Sequence, residues 1–387
     1  MICWRVVSHR NCSLPTHTDE LGAKEVFLSK LHLYDSLLHG LTRMVDWVQM
    51  DTLRRFAGAI LVLLAYFGAV IPLAPTVSPM TVAHDVTGQV FAGFRASRTW
   101  SSYPNEQFPN PDYWVRVGRE MAGRFPSAVP GGVWIVGLYQ ENGTTQLSFP
   151  SSGTSYSYLS FSDKDYNELY LTDFDQSGLK VWLQVEPGAA DVETLIDLVM
   201  QRYRHHACVI GFGIDVEWDR PHIYPGGQKV TDSEAEKWEQ HLKAVDSKYS
   251  LFLKHWDPKW MPSSYRGSIF FIDDSQQFSS IDQMVTEFSA WGAMFAPNPV
   301  GFQFGYESDR VWWSRYPDPV KTVGNAILAN VANVKGLFWV DFTIATVFPV
   351  PEFGSSAILF TTILLMLTTC LSLRRRRPKH PRVDSRA

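Results

Sequence analysis

The sequence predicts an α/β chain whose central part closes into a (β/α)8 barrel of the TIM type. Three observations predict it. Short runs rich in Val, Ile, Phe, Trp or Tyr recur at eight places. Segments with apolar residues at helical spacing fall between most of them. The eight units together occupy about 255 residues, close to the usual size of such a barrel. Strands alternating with helices imply a parallel sheet. The alternative is an open, doubly wound sheet, but no Gly-rich dinucleotide or phosphate loop follows any strand.

The predicted strands are residues 89–97, 132–140, 180–186, 208–218, 250–256, 268–274, 300–307 and 336–343. Helices are expected over 191–206, where Val192, Leu195, Ile196, Val199 and Tyr203 share one face, and over 231–249, 281–291 and 318–334. The helix at 231 opens with Thr231-Asp232-Ser233-Glu234, a capping-box pattern with Thr231 as N-cap. The link between strands five and six, through Pro258 and Pro262, reads as irregular.

The active site of such a barrel lies at the C-terminal ends of the strands. Those ends hold Gln184 and Glu186 on strand three, Asp215 and Glu217 on strand four, and Lys254 and Trp256 on strand five. Asp273 and Asp274 end strand six, Gln303, Tyr306 and Glu307 strand seven, and Trp339 and Asp341 strand eight. The strand beginnings, by contrast, are almost wholly apolar or glycine. Acids among Trp and Tyr suit a sugar: aromatic faces stack on its C–H surfaces, and paired carboxyls supply acid–base and nucleophilic work. The most informative stretch is residues 211–218. Read as one strand, it turns Phe212, Ile214, Val216 and Trp218 to one face and Gly211, Gly213, Asp215 and Glu217 to the other. The two glycines are expected to leave room for a ligand.

Residues 210–217, Ile-Gly-Phe-Gly-Ile-Asp-Val-Glu, resemble the strand-four signature D-G-x-D-x-D-x-E of the chitinase-like family-18 glycoside hydrolases. The glycine, the last aspartate and the glutamate are kept; Ile210 and Gly213 replace the first two aspartates. The resemblance implies Glu217 as the general acid and Asp215 as the group that orients a substrate N-acetyl nucleophile. It also implies Trp339 as the floor of the sugar site. Strand six lacks the family's tyrosine. A second scheme pairs Glu217 with Glu307 as nucleophile, at a carboxyl separation of ~5–5.5 Å for a retaining enzyme or ~6.5–9.5 Å for an inverting one. The candidate catalytic residues are therefore Glu217, Asp215 and Glu307. Gln184, Glu186, Lys254, Trp256, Asp273, Asp274, Gln303, Tyr306, Trp339 and Asp341 are candidate substrate-binding residues.

The chain has 387 residues, a formal net charge of −4, 14% aromatic residues and 14 tryptophans. Mild acidity without a basic patch argues against a nucleic-acid partner. An apolar run from Phe56 to Ile71 after Arg54-Arg55 reads as a secretory signal or signal anchor within 50–74. Residues 1–49 then read as a poorly structured extension or a gene-model artefact, with the start at Met50 or Met44. A second uncharged run, Ser355 to Leu373, is long enough to span a bilayer, and the four arginines at 374–377 favour a cytoplasmic tail. Together with Pro351-Glu352-Phe353-Gly354, residues 351–387 resemble the PEF-type C-terminal sorting signals of archaeal surface proteins. That resemblance implies membrane attachment, processing by an archaeosortase-type enzyme and a cell-surface location. The barrel is assigned to residues 88–345.

Cys208 is the sole cysteine between the two apolar runs, so neither a disulfide within this part nor a thiolate metal site is expected. No cofactor is expected. His205 and His206, at a helix end, read as polar caps without a metal role. The acids Asp215, Glu217 and Asp273 have no calcium-loop spacing around them. Two functions compete. One is a surface glycoside hydrolase acting on a polysaccharide or glycoconjugate; the other is a non-catalytic carbohydrate-binding protein on a degenerate hydrolase barrel. A peptidase lacks its motifs: there is no H-E-x-x-H, no G-x-S-x-G and no suitable cysteine.

Overall fold

A computed structural model describes residues 89–98 and 102–350. The two apolar runs, the sorting-type segment and the N-terminal extension lie outside them. Among the described residues no helix is long and apolar enough to cross a membrane.

Eight parallel strands close into a barrel. They are β1 (Phe91–Ala96), β2 (Val129–Tyr139), β5 (Lys180–Val185), β6 (Val209–Asp215), β7 (Ser250–Lys254), β8 (Phe270–Asp273), β9 (Val300–Phe304) and β10 (Val334–Val340). Each pairs with the next, and β1 pairs with both β2 and β10, which completes the ring. Two short strands that the sequence pattern did not show, β3 (Thr145–Leu147) and β4 (Leu159–Phe161), extend the outer end of β2.

The helices form the outer layer. They are α1 (Pro111–Ala122), α2 (Glu168–Ser177), α3 (Val192–Tyr203), α4 (Asp232–Val245), α5 (Ile281–Phe295), α6 (Arg310–Trp313), α7 (Pro319–Asn330) and α8 (Asp341–Val347). The capping box at α4 is present: Glu234 N–H donates to Thr231 Oγ1 at 3.2 Å, and Thr231 N–H donates to Glu234 Oε2 at 2.9 Å. Only a single 3-10 turn, Pro258–Trp260, stands between β7 and β8, as the prolines suggest.

Two apolar cores result from strand alternation. The larger lies between barrel and helices, and takes Phe94, Trp134, Phe212, Ile214, Phe302 and Trp339 from the strands and Trp114, Leu195, Leu242 and Phe288 from helices. The smaller is made of strand residues alone and plugs the barrel: Phe91, Val133, Trp182, Phe252, Phe270, Ile272 and Phe338. Edge-to-face contacts such as Phe91–Trp182, with ring centroids 5.1 Å apart, knit it together.

The glycines of β6 belong to this plug, and they leave no space for a ligand. A Cβ at Gly213 would stand 1.9 Å from the Phe252 ring, and one at Gly211 would stand 2.6 Å from Trp182. The room the sequence pattern suggested is filled from neighbouring strands. Gly213→Ala is accordingly expected to lower the unfolding free energy by about 1–3 kcal/mol through overpacking, measurable as a lower midpoint in thermal unfolding.

A buried charge cluster at the barrel mouth

Above the aromatic plug the inward-facing positions turn polar. Inward alternation on β1, β5, β6, β7 and β9 places Arg95, Gln184, Asp215, Lys254 and Gln303 in one layer, all of them buried. Asp274, the residue after β8, joins them.

Lys254 is the hub. Its Nζ stands 2.8 Å from Asp215 Oδ2 and 2.5 Å from Asp274 Oδ2. Burial works against its charge, but Asp215 and Asp274 outweigh that and hold the ammonium well above the usual lysine range. Gln184 Nε2 donates to the same Asp215 oxygen at 3.2 Å. Among the described residues, Asp215 Oδ1, Gln184 Oε1 and both polar atoms of the Gln303 amide have no hydrogen-bond partner. Buried polar groups are normally satisfied, so this layer presents unused donors and acceptors to whatever enters from the mouth.

A second clasp closes the seam between first and last strand. Asp341 accepts from Ser97 N–H at 2.7 Å and from Arg95 Nη1 at 3.4 Å. Tyr103 Oη donates to the same carboxylate at 3.4 Å. The Arg95 guanidinium also lies 5.0 Å from the Phe342 ring centroid, a cation–π contact. Burial opposes the charge on Arg95, and Asp341, Tyr306, Asp215 and Glu186 restore it.

Two glutamates sit above Asp215. Glu186 follows β5, and its Oε2 accepts from Tyr139 N–H at 2.9 Å. Glu217 lies in a 3-10 turn, Val216–Trp218, that follows β6. Its carboxylate accepts no hydrogen bond among the described residues. The loops carrying them are stitched together: Gly188 N–H donates to Trp218 O, and Arg220 N–H to Gly188 O. Burial pushes both carboxyls up to about 7. For Glu186 the Asp215 charge adds to burial. For Glu217, Lys254 pulls the other way while Asp274 and Asp215 push further up. Tyr306 is buried and its phenol is raised, by burial first and by Asp274 second.

Unfolded, Glu186 releases its proton near its ordinary 4.5; folded, it holds it to about 7. Between those values the unfolded chain binds fewer protons, so stability falls as pH rises from about 4.5 to 7. For Glu186 the fall amounts to roughly 3 kcal/mol. Denaturant unfolding across that range is expected to show the fall, and Glu186→Gln to remove the Glu186 share of it while that of Glu217 stays.

Aromatic rings rim the mouth. Tyr139 and Trp218 lie partly exposed with ring centroids 5.2 Å apart. Trp256 is 48% exposed and Phe342 39%. Trp256 follows β7 rather than ending it, and its carbonyl accepts from Ser275 Oγ at 3.1 Å.

Several residues chosen from sequence fall elsewhere. Asp215 ends β6, so Glu217 does not continue its face; the turn carries it above instead. Asp273 shares the outward face of β8 with Phe271, because Phe270 and Ile272 point inward. Its Oδ1 accepts from Ser275 N–H at 2.8 Å, and burial holds its carboxyl well above the carboxylate range. Trp339 also points outward. It packs edge-on to Trp313 at 5.2 Å and donates from Nε1 to Thr343, so it floors no site inside the barrel. Glu307 lies past the end of β9 in an exposed turn, 3.3 Å from Arg310. It does not join the cluster. Arg95, Tyr139, Trp218 and Phe342 do join the mouth although sequence reasoning did not select them. Arg95 was findable: it is the lone charge in Phe-Ala-Gly-Phe-Arg-Ala, on the inward phase of β1.

No protein-family model matches the chain, and no curated protein matches it. Solved structures do. An endo-1,4-β-mannanase from Eisenia fetida aligns at 10% identity and a TM-score of 0.40, over 67% of this chain and 91% of that one. A glycoside hydrolase 29 family member from an unknown rumen bacterium aligns at 11% identity and a TM-score of 0.36, over 66% and 51%. A β-glucuronidase from an uncultured Clostridium aligns at 11% identity and a TM-score of 0.32, over 45% of this chain and 35% of that one. The chain thus spans about a third of that enzyme's length.

Proposed function

We propose that this chain is a glycoside hydrolase in which Glu217 is the general acid. The observation that carries the proposal is the mouth cluster: two glutamates held near pH 7 above a buried Asp215–Lys254–Asp274 group, within a rim of exposed aromatic rings. A general acid works best when its pKa lies near the operating pH, and Glu217 is partly open to solvent and its carboxylate accepts no hydrogen bond among the described residues. Asp215 is the buried carboxyl best placed to face positive charge developing on a sugar ring: burial pushes it above the usual carboxylate range, and Lys254 works against that shift. Glu186 takes the place of Glu307 as the second carboxyl at the mouth. Trp218, Trp256 and Phe342 offer the faces on which a polysaccharide would stack. The uncharged runs at 56–71 and 355–373 support an extracytoplasmic location at the membrane.

A specific observation favours a second reading. Lys254 already binds both buried aspartates, an arrangement that also suits a barrel that holds sugars without cutting them. The test is product release by the purified chain on a panel of β-mannans, β-glucans, chitin oligomers, glucuronides and fucosides. Release of reducing sugar supports the hydrolase. Retention of a glycan without cleavage moves the assignment to the binding protein.

A further inference from the structure

We propose that Glu168, His205 and His206 form a site for a divalent transition metal of the zinc class on the outer layer of the barrel. Glu168 opens α2, and the two histidines lie in the turn between α3 and β6. Glu168 Oε1 stands 3.5 Å from His205 Nε2 and 3.3 Å from His206 Nε2. All three ligand atoms lie within 4.8 Å of one another. Around a tetrahedral zinc ion with bonds of ~2.0–2.1 Å, ligand atoms are separated by about 3.4 Å. Two of the three edges of the site therefore already have the length that an ion would impose.

His206 points to the ligand independently. It is 4% exposed, and among the described residues its Nε2 makes no hydrogen bond, with the Glu168 carboxylate 3.3 Å away. Its other nitrogen, Nδ1, stands 2.7 Å from Asp175 Oδ2. Asp175 is itself fixed, because its Oδ1 accepts from Cys208 N–H at 2.6 Å. A carboxylate on one imidazole nitrogen that leaves the other free toward a metal is the usual orienting arrangement of metal-bound histidine. Two imidazoles with one carboxylate select zinc, copper or nickel over calcium or magnesium. His205 and Glu168 have side chains 58% and 45% exposed, which gives an ion a path in and leaves a coordination position for water. The site sits at the start of β6, about 20 Å along the strand from Asp215 at its other end. Its effect is to pin α2 to the α3–β6 turn, apart from chemistry at the mouth.

The test uses the full chain, purified without a polyhistidine tag, stripped of metal and titrated with Zn²⁺ alone against a chromophoric chelator. His205→Ala and Glu168→Gln alter exposed side chains and are expected to leave the zinc-free melting temperature unchanged. Each is expected to weaken Zn²⁺ binding by about tenfold or more, and to remove the upward shift in melting temperature that Zn²⁺ gives the unsubstituted chain. One Zn²⁺ bound by the unsubstituted chain, with affinity at least about tenfold lower in both variants, supports the site. Absence of Zn²⁺ binding, equal affinity in the variants, or equal competition by Mg²⁺ would overturn it.

Discussion

Replacing Lys254 with methionine is expected to lower the unfolding free energy by about 3–5 kcal/mol at neutral pH. The substitution leaves Asp215 and Asp274 in a layer where both are buried, with no cation among the described residues within bonding distance of either. Methionine fills most of the lysine volume, so the loss is electrostatic rather than a cavity. For a domain of this size it corresponds to a fall in melting temperature of roughly 6–20 °C. Two controls identify the cause. The deficit shrinks as pH is lowered and the stranded carboxyls take up protons. The triple variant Lys254→Met with Asp215→Asn and Asp274→Asn recovers much of it, because no unpaired buried charge remains. A deficit that is independent of pH and persists in the triple variant would show that Lys254 acts by packing alone.

Under the proposed hydrolase function, Glu217→Gln is expected to reduce turnover by about 10²–10⁴-fold. Glutamine keeps the shape and cannot deliver a proton. Stability at neutral pH is expected to hold or rise, since the variant no longer buries a group that must ionise above about 7. The pH–rate profile of the unsubstituted chain is expected to fall above about pH 7 as this carboxyl loses its proton. Because Glu186 has nearly the same value and shares Asp215 as a neighbour, the descending limb reports the pair rather than one residue. Unchanged turnover in Glu217→Gln would reassign the acid, with Glu186 the next residue to substitute. Leaving groups that need no protonation, such as nitrophenolates, are expected to suffer least in the variant.

Much of the architecture was legible because it is local. The eight strands read from apolar runs, the helix cap at Thr231 and the irregular link at Pro258 are all decided within a few residues of sequence. The clustering of acids at strand ends was likewise legible from composition along each strand. What sequence reasoning misjudged was where strands stop. Reading 208–218 as one strand put Glu217 on the face of Asp215; the chain instead leaves the sheet at Val216, since β7 pairs with β6 only as far as Asp215–Lys254. The same error of length put Glu307 on β9, which ends at Phe304.

The sequence by itself determined the barrel class, the polar mouth and the apolar base, because apolar runs, acidic strand ends and turn chemistry are written residue by residue. Only the tertiary structure decided which side of the wall each side chain faces and which partner it meets. Phase on β8 sends Asp274 to the mouth and Asp273 outward, and phase on β10 sends Trp339 to the helices. Ring closure brings Arg95 to Asp341 across 246 residues, and adjacent strands bring Lys254 to Asp215 and Asp274. Such pairings are set by the register of a closed sheet, and no stretch of sequence contains both partners and the geometry between them.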